Sequence, residues 1–364
     1  MTAATAPRER WGPLALAVCA VLALACFSIA SGTGHPNVPR SSPGAPPAPD
    51  FGAALAVASD SIGDQLLVWT DREGHLWYAT EGRSEVGFSP PQMVPGAGTL
   101  ASEPSAVIAE SAGTSEVWVF WRGSDHQLLS LAGRLATTPS LSPSVAWSDS
   151  PSVVAGMEPV ESQPAAAYVA RGPSAGLWVL WKGDDQALES VRGRLGPRGV
   201  TWADRPTTVP RTGPVASQPT VGSDGAGTLF VCWRRLPGGT IVEDRRDPSG
   251  WSGTATDLGG VGRTRSTPSI AVAGSGEQYL FWEGTNSQLW YARSSGADWS
   301  GALPGSPGDG PLGSQPVATL VPEPGSSSVV EVYWIGQDLN IWTTSSPGST
   351  SSWAAPSSIE NGPF

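Results

Sequence analysis

One pattern is written six times between Pro49 and Phe364, and it leaves the chain very few architectures to adopt. Five copies open on Ser-x-Pro, at Ser102-Glu103-Pro104, Ser162-Gln163-Pro164, Ser217-Gln218-Pro219, Ser266-Thr267-Pro268 and Ser314-Gln315-Pro316, and the first opens more loosely near Pro49-Asp50-Phe51. Each copy then enters an apolar segment that ends on a tryptophan, at Trp69, Trp121, Trp181, Trp233, Trp282 and Trp334, with spacings of 52, 60, 52, 49 and 52 residues. A unit of that length with several short β-prone segments cannot cover its own apolar faces, but units stacked around an axis can. That is the period of a β-propeller.

The fifth copy shows how one unit becomes a blade. Ser269 to Ala273, Tyr279 to Trp282, Gln288 to Ala292 and Asp298 to Ala302 read as four strands, with Gly, Ser, Asn and Thr between them. Such segments joined by short polar turns describe an antiparallel meander. First strands are built from small residues, as in Ala165-Ala166-Ala167, which suits the crowded centre of a ring. Second strands such as Val117-Trp118-Val119-Phe120-Trp121 and Leu177-Trp178-Val179-Leu180-Trp181 are apolar on both alternating faces, so a neighbour must cover each face. Turns such as Asp71-Arg72-Glu73-Gly74 and Gly183-Asp184-Asp185 lead into third strands. A fourth strand is expected with a tryptophan near its start, at Trp147, Trp202, Trp251, Trp299 and Trp353, and Phe88 in the first copy. Copies two and three carry an insertion between third and fourth strands, with Gly133-Arg134-Leu135 and Gly193-Arg194-Leu195 at matching places.

The expectation is an all-β, six-bladed propeller of four-stranded antiparallel blades over residues 50–364. Its repeats run about 50–101, 102–161, 162–216, 217–265, 266–313 and 314–364; with these bounds the ring closes by packing between its first and last blades, and bounds shifted by one strand would close it by swapping a terminal strand. The 45 Gly and 35 Pro fit an all-β chain with many tight turns, and 17 Trp at regular intervals argue against disorder. A net charge of −11 offers no basic stripe for nucleic acid and disfavours anionic membrane surfaces. Cys232 is the one thiol of the repeat region, in an apolar strand, and reads as a buried structural residue; no disulfide, metal-ligand spacing or cofactor motif is present.

Arg8 and Arg10 precede an apolar run from Leu14 to Ala30. It reads as an export signal over residues 1–30, cleaved after Ala30, retained as an anchor, or lipid-modified at Cys26. Each form places the rest of the chain outside the cytoplasm, secreted or held at the envelope. Residues 31–49 are rich in Pro, Gly, Ser and Ala and read as an extended spacer. The membrane then enters only through an uncleaved anchor.

Leu280-Phe281-Trp282-Glu283-Gly284, Gln288-Leu289-Trp290-Tyr291-Ala292 and Trp299-Ser300-Gly301 resemble the repeat units of the bacterial tectonin-like and Photorhabdus-type propeller lectins, and more distantly the fungal fucose-specific lectins. The resemblance implies carbohydrate sites in clefts between adjacent blades, each with an aromatic face and nearby Arg and Glu. An indole packs against the C–H face of a sugar while fixed donors and acceptors hold its hydroxyls. The candidates are Trp147, Trp202, Trp251, Trp299 and Trp353, then Arg122, Lys182, Arg234 and Glu283 after the second strand, and Glu189 and Glu243 on the third. The charged residue after the second-strand Trp changes from copy to copy, which predicts unequal clefts.

Two further classes stay open. A propeller of this form also serves as a protein-interaction platform, here with an envelope protein as partner. Hydrolases share the fold too, but glycoside hydrolysis needs paired carboxylates, and the acidic residues Asp71, Asp125, Asp184 and Asp185 fall at turns. His75 and His126 lie in equivalent turns, and no nucleophile elbow is present, so a non-catalytic binder is expected.

Overall fold

The computed structural model describes residues 51–359, apart from positions 84, 86, 112, 139–140, 155–158, 198, 297, 306–309, 323–327 and 349–351. The export signal and the spacer at 31–49 lie outside the described residues. Six separate antiparallel sheets follow one another in chain order, each a meander of four strands, and no sheet borrows a strand from another. The second, third and fourth sheets add a two-residue strand, Ser152–Val153, Thr207–Thr208 or Thr256–Asp257, paired with the third strand.

In the fifth blade the strands are Ser269–Val272, Gln278–Glu283, Leu289–Ser294 and Leu303–Pro304. The first three fall where the sequence puts them; the fourth begins beyond the expected Asp298–Ala302 segment. The reason is that Trp299 is engaged elsewhere. It bridges back to Ser294, after which the chain crosses over so that Leu303 pairs with Tyr291 and Pro304 with Trp290. The same shift recurs in the second and third blades, where Trp147 and Trp202 end the hairpin strands Leu141–Trp147 and Gly199–Trp202 instead of opening a strand. In those hairpins Gly133 pairs with Trp147 and Gly193 with Trp202. A Cβ on Gly193 would stand 2.7 Å from the Trp202 ring, so the glycine is what lets the indole lie across the strand.

The Ser-x-Pro opening has a direct physical role. The backbone N–H of the residue after the terminal Trp donates to the serine hydroxyl in all five copies, at 3.0 Å for Arg122 on Ser102 and Lys182 on Ser162, 3.1 Å for Arg234 on Ser217, 3.2 Å for Glu283 on Ser266 and 2.9 Å for Ile335 on Ser314. Each serine therefore ties the start of its blade to the end of that blade's second strand. The middle residues of the motif converge on the ring axis. Gln218 Nε2 lies 3.0 Å from Gln163 Oε1 and 2.8 Å from Gln315 Oε1, and Gln315 Nε2 lies 2.6 Å from Glu103 Oε2.

The six second-strand tryptophans are at most 1 % exposed. Each packs against the preceding blade: Trp121 sits with Val68 and Tyr78 of the first blade, and Trp69 with Tyr333 and Ile341 of the sixth. At 150–250 Å² per ring, one such burial is worth about 4–6 kcal/mol of transfer free energy as an upper bound. Closure of the ring repeats this packing and adds Ser59 Oγ donating to the Leu320 carbonyl at 2.6 Å and Gln65 Nε2 donating to Glu331 Oε2 at 3.0 Å. Cys232 is fully buried, and burial pushes its thiol pKa well up.

Candidate functional site

Strand alternation decides which residues can meet a ligand. The terminal Trp of a second strand points to the preceding blade, so the residues one and three places before it point to the next. The position three before Trp is Leu66, Trp118, Trp178, Phe230, Tyr279 and Glu331 in blades one to six. This wall, and the third-strand residues beside it, make every interblade cleft different.

Three clefts are filled by the chain's own rings. Trp147 sets its edge on Tyr78 with centroids 5.3 Å apart between blades one and two, and Trp202 does the same to Phe120 at 5.8 Å between blades two and three. Trp353 wedges between Phe281 at 5.5 Å and Tyr291 at 5.2 Å in the cleft of blades five and six, where the Tyr279 hydroxyl also donates to the Gly348 carbonyl. In the fourth, between blades three and four, Arg246 covers Trp178 and Trp251 is half-buried against the same core.

Between blades four and five the cleft is open and holds about 510 Å³. Phe230, Leu258 and Trp299 supply its apolar wall, and Glu243, Arg245 and Gln278 its polar groups. Glu243 and Arg245 share one face of Thr240–Asp247, opposite Cys232 and Phe230. Trp299 Nε1 donates to Glu243 Oε2 at 2.9 Å, so the fifth blade fixes the carboxylate of the fourth. Burial raises the Glu243 pKa, against the opposing effects of the Trp299 and Gln278 hydrogen bonds and the Arg245 charge. Burial likewise raises that of Asp244, whose Oδ1 accepts from the Ser252 hydroxyl.

One buried acceptor at this cleft has no donor. Gln278 is 2 % exposed and its Oε1 is unpaired, whereas strand alternation turns Asp244, across from Val231, to the opposite face. Buried acceptors left this way are uncommon in folded proteins and favour a hydroxyl-bearing occupant.

The cleft between blades six and one holds about 340 Å³, lined by Glu81, Phe88, Glu331 and Tyr333. Its polar groups already satisfy one another: the Tyr333 hydroxyl lies 2.5 Å from Glu331 Oε2 and 3.1 Å from Gln65 Oε1. Burial, with Glu331 nearby, raises the Glu81 pKa.

Of the sequence candidates, the structure brings Trp299 and Glu243 together. Arg122, Lys182, Arg234 and Glu283 stand one place after the terminal Trp, four residues and so roughly 13 Å along the strand from the cleft wall. They serve the rim near Ser-x-Pro instead, with Arg122 Nη2 donating to the Ala101 carbonyl at 3.1 Å and Arg234 Nη1 to that of Arg265 at 3.4 Å. Glu189 is not the counterpart of Glu243, because Glu189 pairs across with Trp181 whereas Glu243 pairs with the residue before Trp233. That one-residue difference turns Glu189 to the other face, where it is 7 % exposed and accepts from the Thr208 hydroxyl at 2.7 Å. Arg245 was legible as the i+2 neighbour of Glu243; Gln278 was not, since it arrives from the next repeat. Among the described residues no group of three or more His, Cys, Asp or Glu could hold a metal ion.

No family model matches the chain, and no curated protein matches it. Solved structures do. AofleA from Arthrobotrys oligospora is 12 % identical with a TM-score of 0.63, covering 86 % of this chain and 87 % of its own. The Aleuria aurantia lectin, described as a six-bladed β-propeller with a novel fucose recognition mode, is 15 % identical with a TM-score of 0.59, over 86 % of this chain and 98 % of its own. SapL1 lectin, solved with alpha methyl fucoside, is 15 % identical with a TM-score of 0.51, over 84 % and 95 %. At these identities the likeness is one of fold: the chain has the six-bladed architecture of the fungal fucose-specific lectins.

Proposed function

We propose that this protein is a carbohydrate-binding propeller that holds a saccharide between its fourth and fifth blades without catalysing its cleavage. The observation that carries this reading is the Trp299–Glu243 hydrogen bond at 2.9 Å beside the unpaired oxygen of Gln278. An indole, a fixed carboxylate, a guanidinium and a free acceptor are what a sugar with one C–H face and several hydroxyls requires. The lectin character of AofleA's fold relatives and the fucosides solved with two of them support the same class of ligand. Kinship of the repeats with the bacterial tectonin-like lectins, and export by the apolar N-terminal run, belong to the same proposal.

A glycan array probed with the full chain, followed by calorimetric titration, tests it. Saturable binding of a neutral mono- or disaccharide, weakened about tenfold or more in Glu243→Gln by loss of a charge-assisted hydrogen bond, is expected. No saccharide signal at millimolar concentration, or turnover of a glycoside that survives repurification, would reject the reading.

A further inference from the structure

Two arginines from different blades cover one buried indole in the cleft between blades three and four. Trp178 is 6 % exposed, and its Nε1 donates to the Ser174 carbonyl at 2.9 Å. Arg246, from the fourth blade, places Cζ 4.4 Å from the ring centroid; Arg192, the cross-strand partner of Trp178, places it at 5.9 Å. Arg246 Nη1 donates to Ser174 Oγ at 2.5 Å and to the Asp247 carbonyl at 3.2 Å, and Arg192 Nε donates to the Ala175 carbonyl at 3.0 Å. Arg194 lies close by: after burial, the charges of Arg194 and Arg246 are what lower the proton affinity of Arg192.

Three like charges held together call for a counter-charge; the charge of Asp247 acts on Arg246, and Asp244, on the same face of the strand, has its Oδ1 on the Arg245 N–H and the Ser252 hydroxyl. Among the described residues no carboxylate makes an ion pair with Arg192, Arg194 or Arg246. Asp247 is turned to Ser249, accepting both its N–H at 2.8 Å and its hydroxyl at 2.5 Å. The ring face stabilises the guanidinium above it but removes no charge. Most of the five N–H donors of each guanidinium are left for another partner. In a protein of net charge −11 this is a local reversal, not part of a basic surface.

The frame is that of the neighbouring open cleft with its chemistry exchanged. Trp251 pairs with Arg246 as Trp299 bridges to Ser294, and Arg192 faces Trp178 as Arg245 faces Phe230. Ser190, across from Leu180, stands where Glu243 stands across from Cys232. The carboxylate is gone and a second guanidinium has been added.

We propose that the cleft between blades three and four is a second saccharide site, selective for an oxyanion substituent, a sulfate ester or a uronate carboxylate, held by Arg192 and Arg246 with Arg194 at its rim. The saccharide part of this assignment rests on the carbohydrate reading of the adjacent cleft; the oxyanion part rests on the arginines. Guanidinium forks match both anions in bidentate geometry.

Calorimetric titration of the full chain at low ionic strength with glucose 6-sulfate, glucuronate, glucose and inorganic sulfate tests it. At least one charged sugar should bind ten times more tightly than glucose. Arg192→Gln and Arg246→Gln should each weaken it about tenfold, and Arg194→Gln about two- to threefold with an unchanged melting temperature. A neutral sugar bound at the other cleft should not displace it, and arginine-dependent binding of charged sugars alone would sustain this site while removing the neutral one. Charged sugars binding no better than glucose, or equally well in Arg194→Gln and Arg246→Gln, would overturn the proposal. Inorganic sulfate matching glucose 6-sulfate would mean an adventitious ion only, and would overturn it as well.

Discussion

Gln315 donates through Nε2 to Glu103 Oε2 at 2.6 Å although 212 residues separate them, and this contact joins the second and sixth blades across the ring axis. Together with Gln163 and Gln218 they form a polar knot where the Ser-x-Pro motifs meet. Burial raises the Glu103 pKa to about 7 from 4.5.

The knot makes stability depend on pH in a defined direction. A carboxyl whose pKa is raised by folding holds its proton in the native state after the unfolded chain has lost it. Its contribution is therefore complete below the unfolded value and is lost as pH climbs from about 4.5 to about 7, by about 3 kcal/mol at 1.4 kcal/mol per pKa unit. Glu103→Gln, which restores the Gln found in three other copies, should flatten this slope and raise stability at pH 8. Urea titrations of both proteins at pH 5 and pH 8 check it; parallel slopes would contradict the assignment.

Ser217→Ala removes the hydroxyl that accepts the Arg234 N–H at 3.1 Å. Leaving that donor without its partner should destabilise the protein by about 1–2 kcal/mol. Chemical denaturation reads the change, and a shift within error would show that the serine is dispensable to the repeat.

Gly193→Ala places a Cβ 2.5 Å from Val200 and 2.7 Å from the Trp202 ring. The indole must move off Phe120, and a loss of about 1–3 kcal/mol is expected from overpacking. Near-ultraviolet circular dichroism should report the displaced ring; an unaltered spectrum and melting temperature would refute the packing role.

Saccharide affinity at the open cleft should fall on acidification, and at a higher pH than for an ordinary glutamate. Burial raises the Glu243 pKa, so its acceptor is protonated early, whereas ligand hydroxyls need it ionised. Titrations from pH 7 to pH 4 check this direction, and Glu243→Gln should lose the dependence.

Much of the fold was legible because a propeller repeats its instructions. Alternating apolar second strands, Gly and Asp turns and a period near 50 residues each act within one unit, so six units and the places of their first three strands followed from local pattern, but Gly133-Arg134-Leu135 and Gly193-Arg194-Leu195, read as insertions after the third strand, lie within Leu128–Thr138 and Leu188–Gly196. The fourth strand was misplaced because Trp299 is claimed by Glu243 of another blade, a contact no single repeat contains. The same cause separated Glu189 from Glu243. Both are third-strand glutamates in sequence, but a one-residue change of register points them to opposite faces.

By itself, then, the sequence determined what is periodic: the ring, the buried tryptophans and the serine that locks each blade. Tertiary structure decided what happens between units. It filled some clefts with Trp147, Trp202 and Trp353, left Gln278 unpaired in another, and gathered Arg192 and Arg246 over Trp178 in a third. The physical reason is that strand alternation assigns each side chain to a face, whereas what meets it there comes from a different repeat, about 50 residues away in sequence but only one sheet spacing, about 10 Å, away in space.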